Sequence, residues 1–201
     1  MFIKDYLRER FVKLITTVVK DIKNQDRKEE LSFMSRLKKC GKGVGVGSKC
    51  RFIYPEYVSI GDFCQFGNNC RVEAIGENNG NFYSPELIIG NNVSFEDNCH
   101  IGCLNSVLIE DGTMVASGVF ITDHFHGKII SGDLLIRPAL RELSSKPVHI
   151  GKNVWIGEHV SIMPGVNLGN NVIVGANTVV THSFEDNCVI AGCPARIIKK
   201  L

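Results

Sequence analysis

His124 and His126 stand in the stretch Thr122-Asp123-His124-Phe125-His126-Gly127, the densest run of titratable side chains in the chain. An imidazole titrates near neutral pH, so either ring can serve as a base toward a weakly acidic proton. Asp123 suits two roles, orienting a histidine or opening a turn. With His100 added, the same rings are residue types that could ligate zinc. Eight cysteines (40, 50, 64, 70, 99, 103, 188 and 193) show no Cys-x-x-Cys spacing. Lys4, Asp5, Arg8 and Glu9 occupy the place where a secretion signal would carry its apolar core. The cysteines therefore read as reduced, packed thiols, and the expected location is cytoplasmic. No glycine-rich phosphate loop or dinucleotide fingerprint accompanies them.

The histidines need a scaffold, and the sequence announces one through a period of six. Ile150, Ile156, Ile162, Leu168, Val174 and Val180 follow one another at that spacing. Small residues, Val154, Val160, Val166, Val172 and Thr178, precede the next aliphatic by two, and Gly151, Gly157, Gly169 and Gly175 follow the aliphatic. The same register holds for Ile89, Phe95 and Ile101, then after a slip of two for Ile109, Val115 and Ile121. Earlier come Val46 and Phe52, another slip, then Ile60, Phe66 and Val72, with Cys64, Cys70 and Cys99 at the small position. A helix repeats its apolar stripe at three and four residues, so short strands joined by tight turns are the alternative. Three hexads make one triangular coil, the aliphatics fill its interior, and the glycines permit the turn conformations. The expectation is an all-β parallel β-helix whose coils bury one another's faces.

Two stretches break the period, residues 73 to 86 and residues 123 to 147, and solenoid insertions project as loops. The second carries the histidines and is long for a loop without a purpose. The expected organisation is a helical segment at 1–40, the β-helix over 41–187 and a tail at 188–201. Within the first segment Ile3, Leu7, Phe11, Leu14, Ile15, Val18 and Ile22 follow helical spacing, with Lys4, Arg8, Lys13, Lys20 and Lys23 between them. Such a helix either docks on the first coil as a cap or makes a weak peripheral contact with an anionic membrane; docking is preferred because a terminal coil needs cover. Residues 1 to 39 hold eleven basic and six acidic side chains against a net charge of +2 for the whole chain. That imbalance is too small for a committed nucleic-acid binder, and no zinc-finger or helix-turn-helix spacing supports one.

The hexads, the segment Asn153-Val154-Trp155-Ile156-Gly157 and the C-terminal Ala191-Gly192-Cys193-Pro194-Ala195-Arg196 resemble the hexapeptide-repeat acyltransferases. The likeness runs from about residue 46 to residue 199 and is greatest to the sugar O-acetyltransferase branch, with galactoside, maltose and surface-polysaccharide acetyltransferases. It implies a left-handed winding, a homotrimer with active sites between neighbouring chains, and acetyl-CoA as co-substrate without a metal. The implied activity is transfer of an acetyl group to a hydroxyl of a sugar or surface-polysaccharide unit.

The resemblance also assigns residues. Ala116-Ser117-Gly118-Val119-Phe120-Ile121 matches the segment preceding the family's active-site histidine, and counting five residues beyond Ile121 reaches His126; His124 is the second candidate. Trp155, Gly157, Ala176 and Thr181 match positions around the acetyl and pantetheine groups, and Arg196 and Lys199 match basic residues near the nucleotide phosphates. The backbone N–H at residue 158 is the implied oxyanion donor, although Glu158 stands where relatives carry a small side chain, and His182 stands where they often carry lysine. Glu96 and Asp97, with Asp123, are the acceptor-side candidates. An amine acceptor, a zinc lyase of the γ-carbonic anhydrase kind through His100, His124 and His126, and a scaffold without catalysis are the competing readings.

Overall fold

The computed structural model describes residues 2–128, 130 and 132–201, and the chain divides into two units, residues 1–32 and residues 33–201. The first unit is one α-helix, α1 (Phe2–Glu30). Its expected stripe is present as Phe11, Leu14, Ile15, Val18 and Ile22, all exposed. The side chains of Phe2, Ile3, Lys4 and Leu7, which begin that stripe and its basic flank, lie outside the described residues.

The second unit is a parallel β-helix with three faces. One face stacks Lys39–Cys40, Val58–Ile60, Glu86–Ile89, Ser106–Ile109, Val148–Ile150 and Asn167–Leu168. A second runs from Gly45–Val46 through Gln65–Phe66, Ser94–Phe95, Met114–Val115, Trp155–Ile156 and Ile173–Val174 to Cys188–Ala191. The third holds Arg51–Ile53, Arg71–Ala74, His100–Cys103, Phe120–Thr122, Ser161–Ile162 and Val179–Val180. The hexad aliphatics meet rung by rung: Ile60 on Ile89, Ile109, Ile150 and Leu168 along one face, Val72 on Ile101, Ile121, Ile162 and Val180 along another. These ladders are buried, as are the small residues behind them, and burial of stacked aliphatics is the main stabilising term of such a fold.

The turns work differently from the expectation that the glycine after each aliphatic supplies turn freedom. The left-handed residue is the third after the aliphatic, Asn153, Asn171 and Asn177 with φ 53°, 56° and 56°, a region asparagine tolerates better than most residues. The glycine after the aliphatic is there because coils stack so closely. A Cβ on Gly151 would lie 2.7 Å from the carbonyl carbon of Gly169 one coil on. Side chains also climb the corners: Asp62 N–H donates to Asn91 Oδ1 at 2.9 Å, and Asn68 N–H to Asp97 Oδ1 at 2.6 Å.

The ends extend the expected solenoid slightly. Lys39–Cys40 already pairs with Val58–Ile60, and Cys188–Ala191 pairs in parallel with Ile173–Val174 before turning back against Arg196–Lys200. The first coil is covered by Phe33, stacked on Phe52 with ring centroids 3.9 Å apart. That residue belongs to the short 3-10 turn Ser32–Arg36 and is itself buried. All eight cysteines are free thiols; Cys64 donates to Gly90 O at 2.9 Å and Cys70 to Glu96 O at 3.2 Å, which gives these core thiols a packing role. No helix among the described residues is long and apolar enough to cross a membrane.

Candidate active site

Both insertions leave the solenoid at the third face and flank a groove there. The first folds into a small hairpin, Glu77–Asn78 against Asn81–Phe82. The second begins as the strand His124–His126, paired antiparallel with Leu143–Ser145, so the loop returns beside its start. Asn79 Nδ2 donates to Ala139 O at 2.8 Å and ties one insertion to the other. The groove between them has a volume of about 470 Å³, within the range of small-molecule sites, and His124, His126, Thr122, Glu73, Arg71 and His100 are among its lining residues.

Asp123 is fully buried beneath this groove. Its Oδ1 accepts the Leu104 N–H at 2.8 Å, and its Oδ2 accepts the N–H groups of Asn105 and Ser106 at 2.7 and 2.8 Å. A carboxyl held by three backbone donors cannot swing, and Oδ1 lies 3.2 Å from His124 Nδ1. Thr122 Oγ1 is 3.0 Å from the same nitrogen. Since the Asp123 oxygens accept, the pairing puts the imidazole proton on Nδ1 and leaves the Nε2 lone pair as the basic site. His124 is mostly buried on its side chain, and its ring lies over Gly102, where a Cβ would come within 2.9 Å of Cε1. Nearby, Asp123 and burial push the Cys103 thiol up, burial being the larger cause, so this sulfur offers no thiolate.

His126 also lines the groove, but it is exposed and, among the described residues, has no carboxylate partner of this kind. Of the two histidines the sequence offers, the one two residues earlier than the counted position is the one held in place. Asp123 has no surface with which to touch a substrate, as the acceptor-side reading would need, and its contact with His124 Nδ1 fits the other reading, that it orients a histidine. Glu96 and Asp97 lie outside the groove: Glu96 is exposed just after the strand Ser94–Phe95, and Asp97 Oδ1 is engaged by the Asn68 backbone and amide.

The residues assigned to the donor gather elsewhere. Gly157, Glu158 and Ala176 sit on stacked turns of one corner, where Asn177 N–H donates to Glu158 O at 2.8 Å. Trp155 is half exposed on the second face, beside Met114 on the preceding rung. Thr181 and His182 lie on a neighbouring turn, 3.4 Å apart through Oγ1 and Nδ1, and Arg196 and Lys199 are exposed on the C-terminal hairpin. None of these lines the histidine groove within one chain.

The groove also holds Arg71 and Glu73, which the sequence did not mark, beside His100, which it marked only as a zinc-ligand candidate with His124 and His126. Arg71 and Glu73 form an ion pair, and His100 Nε2 lies 3.7 Å from Glu73 Oε2. His100, and after it Arg71, hold the Glu73 carboxyl below the ordinary carboxylate range against the opposing effect of burial. Arg71 and Glu73 are alternate residues of one strand, so both project outward beside each other, whereas His100 joins from the adjacent strand opposite Arg71. Only the solenoid register brings them together.

The bacterial transferase hexapeptide model, a motif of six repeats, matches residues 147–182. The chain is 42% identical over 156 residues to the putative lipopolysaccharide biosynthesis O-acetyl transferase WbbJ of Escherichia coli K12, an alignment covering 75% of this chain and 79% of that protein. Among solved structures it is similar to a maltose O-acetyltransferase from Clostridium difficile 630, with 28% identity, TM-score 0.55 and coverage of 87% and 75%. It shares its fold with the N-acyltransferase AntD from Bacillus cereus, solved with dTDP-4-amino-4,6-dideoxyglucose and coenzyme A, at 23% identity, TM-score 0.68 and coverage of 86% and 88%. Hexad ladders, the closing hairpin and this extent of identity together place the chain in the hexapeptide-repeat acyltransferases, within their sugar O-acetyltransferase branch and with the left-handed β-helix of that family.

Proposed function

We propose that the chain transfers the acetyl group of acetyl-CoA to a hydroxyl of a sugar, as a unit of a surface polysaccharide or its precursor, with His124 as general base. The observation that carries this reading is the Asp123–His124 pair at the floor of the groove. A thioester is already an activated acyl group, so the enzyme has to supply placement and a proton acceptor. His124 Nε2 takes the hydroxyl proton as the sugar oxygen attacks the acetyl carbonyl, while Asp123 holds Nδ1–H and stabilises the imidazolium that forms. Collapse of the tetrahedral intermediate breaks the carbon–sulfur bond, and the imidazolium returns its proton to the departing thiolate. By family likeness the backbone N–H of residue 158 from a neighbouring chain receives the oxyanion, with Trp155, Gly157, Ala176, Thr181, His182, Arg196 and Lys199 along the coenzyme.

The test is thiol release from acetyl-CoA in the presence of a panel of glycans and nucleotide sugars. The expected product is an ester that mild alkali removes. An alkali-stable acetylated product would mean an amine acceptor, and release without any acetylated acceptor would overturn the reading.

A further inference from the structure

We propose that Glu73, braced between Arg71 and His100, reads the acceptor by accepting hydrogen bonds from adjacent hydroxyls of an uncharged pyranose that lies across the groove. The inference rests on the reading above for the identity of the bound molecule as acceptor, and on four observations for its chemistry.

The first is position. Glu73, Gly102 and Thr122 are successive rungs of the third face. Gly102 has no side chain, and the His124 ring occupies the space above it. Glu73 is therefore one strand spacing, about 4.8 Å, from the rung that the base covers. A sugar with one hydroxyl at His124 Nε2 can therefore set neighbouring hydroxyls against Glu73.

The second is charge. Among the described lining residues the guanidinium of Arg71 is already paired with Glu73, and Glu77 adds a second carboxyl. A uronate or a phosphate would meet these carboxylates without a free counter-charge, whereas hydroxyl groups donate to them in charge-assisted hydrogen bonds. The depressed carboxyl of Glu73 keeps it an acceptor at neutral pH.

The third is bracing. His100 Nε2 is buried 3.7 Å from Glu73 Oε2 and Arg71 pairs with the same carboxyl, so Glu73 is held in one place with the rest of its lone pairs left to a ligand. The fourth is shape: Tyr54, Phe120 and Phe125 line the same groove and offer flat apolar surfaces to the C–H faces of a sugar ring.

Titration of the purified full chain by saturation-transfer NMR and calorimetry tests this, with methyl glycosides of uncharged hexoses, the matching methyl glycuronides and singly deoxygenated glycosides as probes. The neutral glycosides are expected to bind, the glycuronides to bind at least about tenfold more weakly, and removal of either of two adjacent hydroxyls to abolish the preference. Glu73→Gln, which keeps the shape, is expected to weaken neutral binding by about tenfold or more. The deoxy series on the unaltered protein gives the same information should that variant fold poorly. Tighter binding of glycuronides, an unchanged affinity in folded Glu73→Gln, or no binding by any glycoside overturns the proposal. Binding as expected without acetyl transfer to the bound glycoside would sink the proposed function and leave the subsite standing. Transfer whose acceptor KM is indifferent to Glu73→Gln would do the reverse.

Discussion

Asp123 has its oxygens committed to the backbone of residues 104–106, and that rigidity would give the proposed base, His124, a fixed orientation. Removing the ring should therefore matter far more at His124 than at His126. His124→Ala is expected to lower turnover by about a hundredfold or more, the usual loss on deleting a general base, with folding retained. His126→Ala should cost less than about tenfold, since that side chain contributes only to the groove wall. A reversed order, measured by thiol release at saturating acetyl-CoA, would move the base to His126. Glu73 supplies a second prediction, on stability. Its folded carboxyl titrates below the ordinary glutamate value of about 4.5, so the unfolded chain takes up that proton first as pH falls. The stabilisation is fully present above about pH 4.5 and is lost as the pH drops through the folded value. Thermal melts between pH 3 and 7, roughly spanning the carboxylate range, should show a shallower acid limb in Glu73→Gln than in the unaltered chain.

At the level of the coil, the glycine after each aliphatic and the asparagine two residues later do separate jobs and should respond to mutation separately. Gly151→Ala forces a Cβ to 2.7 Å from the Gly169 backbone, an overpacking expected to cost about 1 to 3 kcal/mol. Asn177→Gly relieves a left-handed φ of 56° and should leave the melting temperature nearly unchanged or raised. A Gly151→Ala variant that melts like the unaltered chain would show that close coil spacing is not what the glycine serves. The hexads were legible because an interior filled at every sixth residue imposes that period on the chain. Their partners across 20, 29 and 41 residues were less so, since the insertions shift each rung by their own length. The site divides in the same way. His124, His126 and Asp123 are neighbours in sequence and stood out as a cluster. An orienting role for Asp123 is one of the two readings the cluster allows, but the backbone donors that fix it lie some twenty residues earlier, and Arg71, Glu73 and His100 meet only through the register of two strands, so neither set of contacts could be seen in the linear order.

Over the whole molecule, the covering of the solenoid's first coil and the completion of its active site are separate questions. Phe33 lies 6% exposed on Phe52, outside α1, so the β-helix carries a cap of its own. Deleting residues 1–31 should leave its melting temperature within a few degrees, whereas Phe33→Ala should cost about 3 kcal/mol or more, as deletion of a buried aromatic does. A truncated chain that aggregates would restore the helix to the capping role expected from its stripe. The active site poses the larger test. The histidine groove and the residues assigned to the coenzyme lie on different parts of one chain, while Met114 and Trp155 leave an apolar pair exposed on adjacent rungs, as surfaces that meet a second copy do. The proposed closed ring of three, with each site drawn from two neighbours, would reconcile these facts. Light scattering should then give a mass near three times 22.2 kDa. Two inactive variants should also rescue one another: His124→Ala, which lacks the base, and Ala176→Trp, which blocks the coenzyme path. Refolded together at equal ratio, random assembly leaves about a quarter of the sites with both parts intact, so roughly that fraction of activity should return. No recovery in mixed trimers would mean that each chain builds its site alone, and a concentration-independent mass near 22.2 kDa would remove the trimer itself.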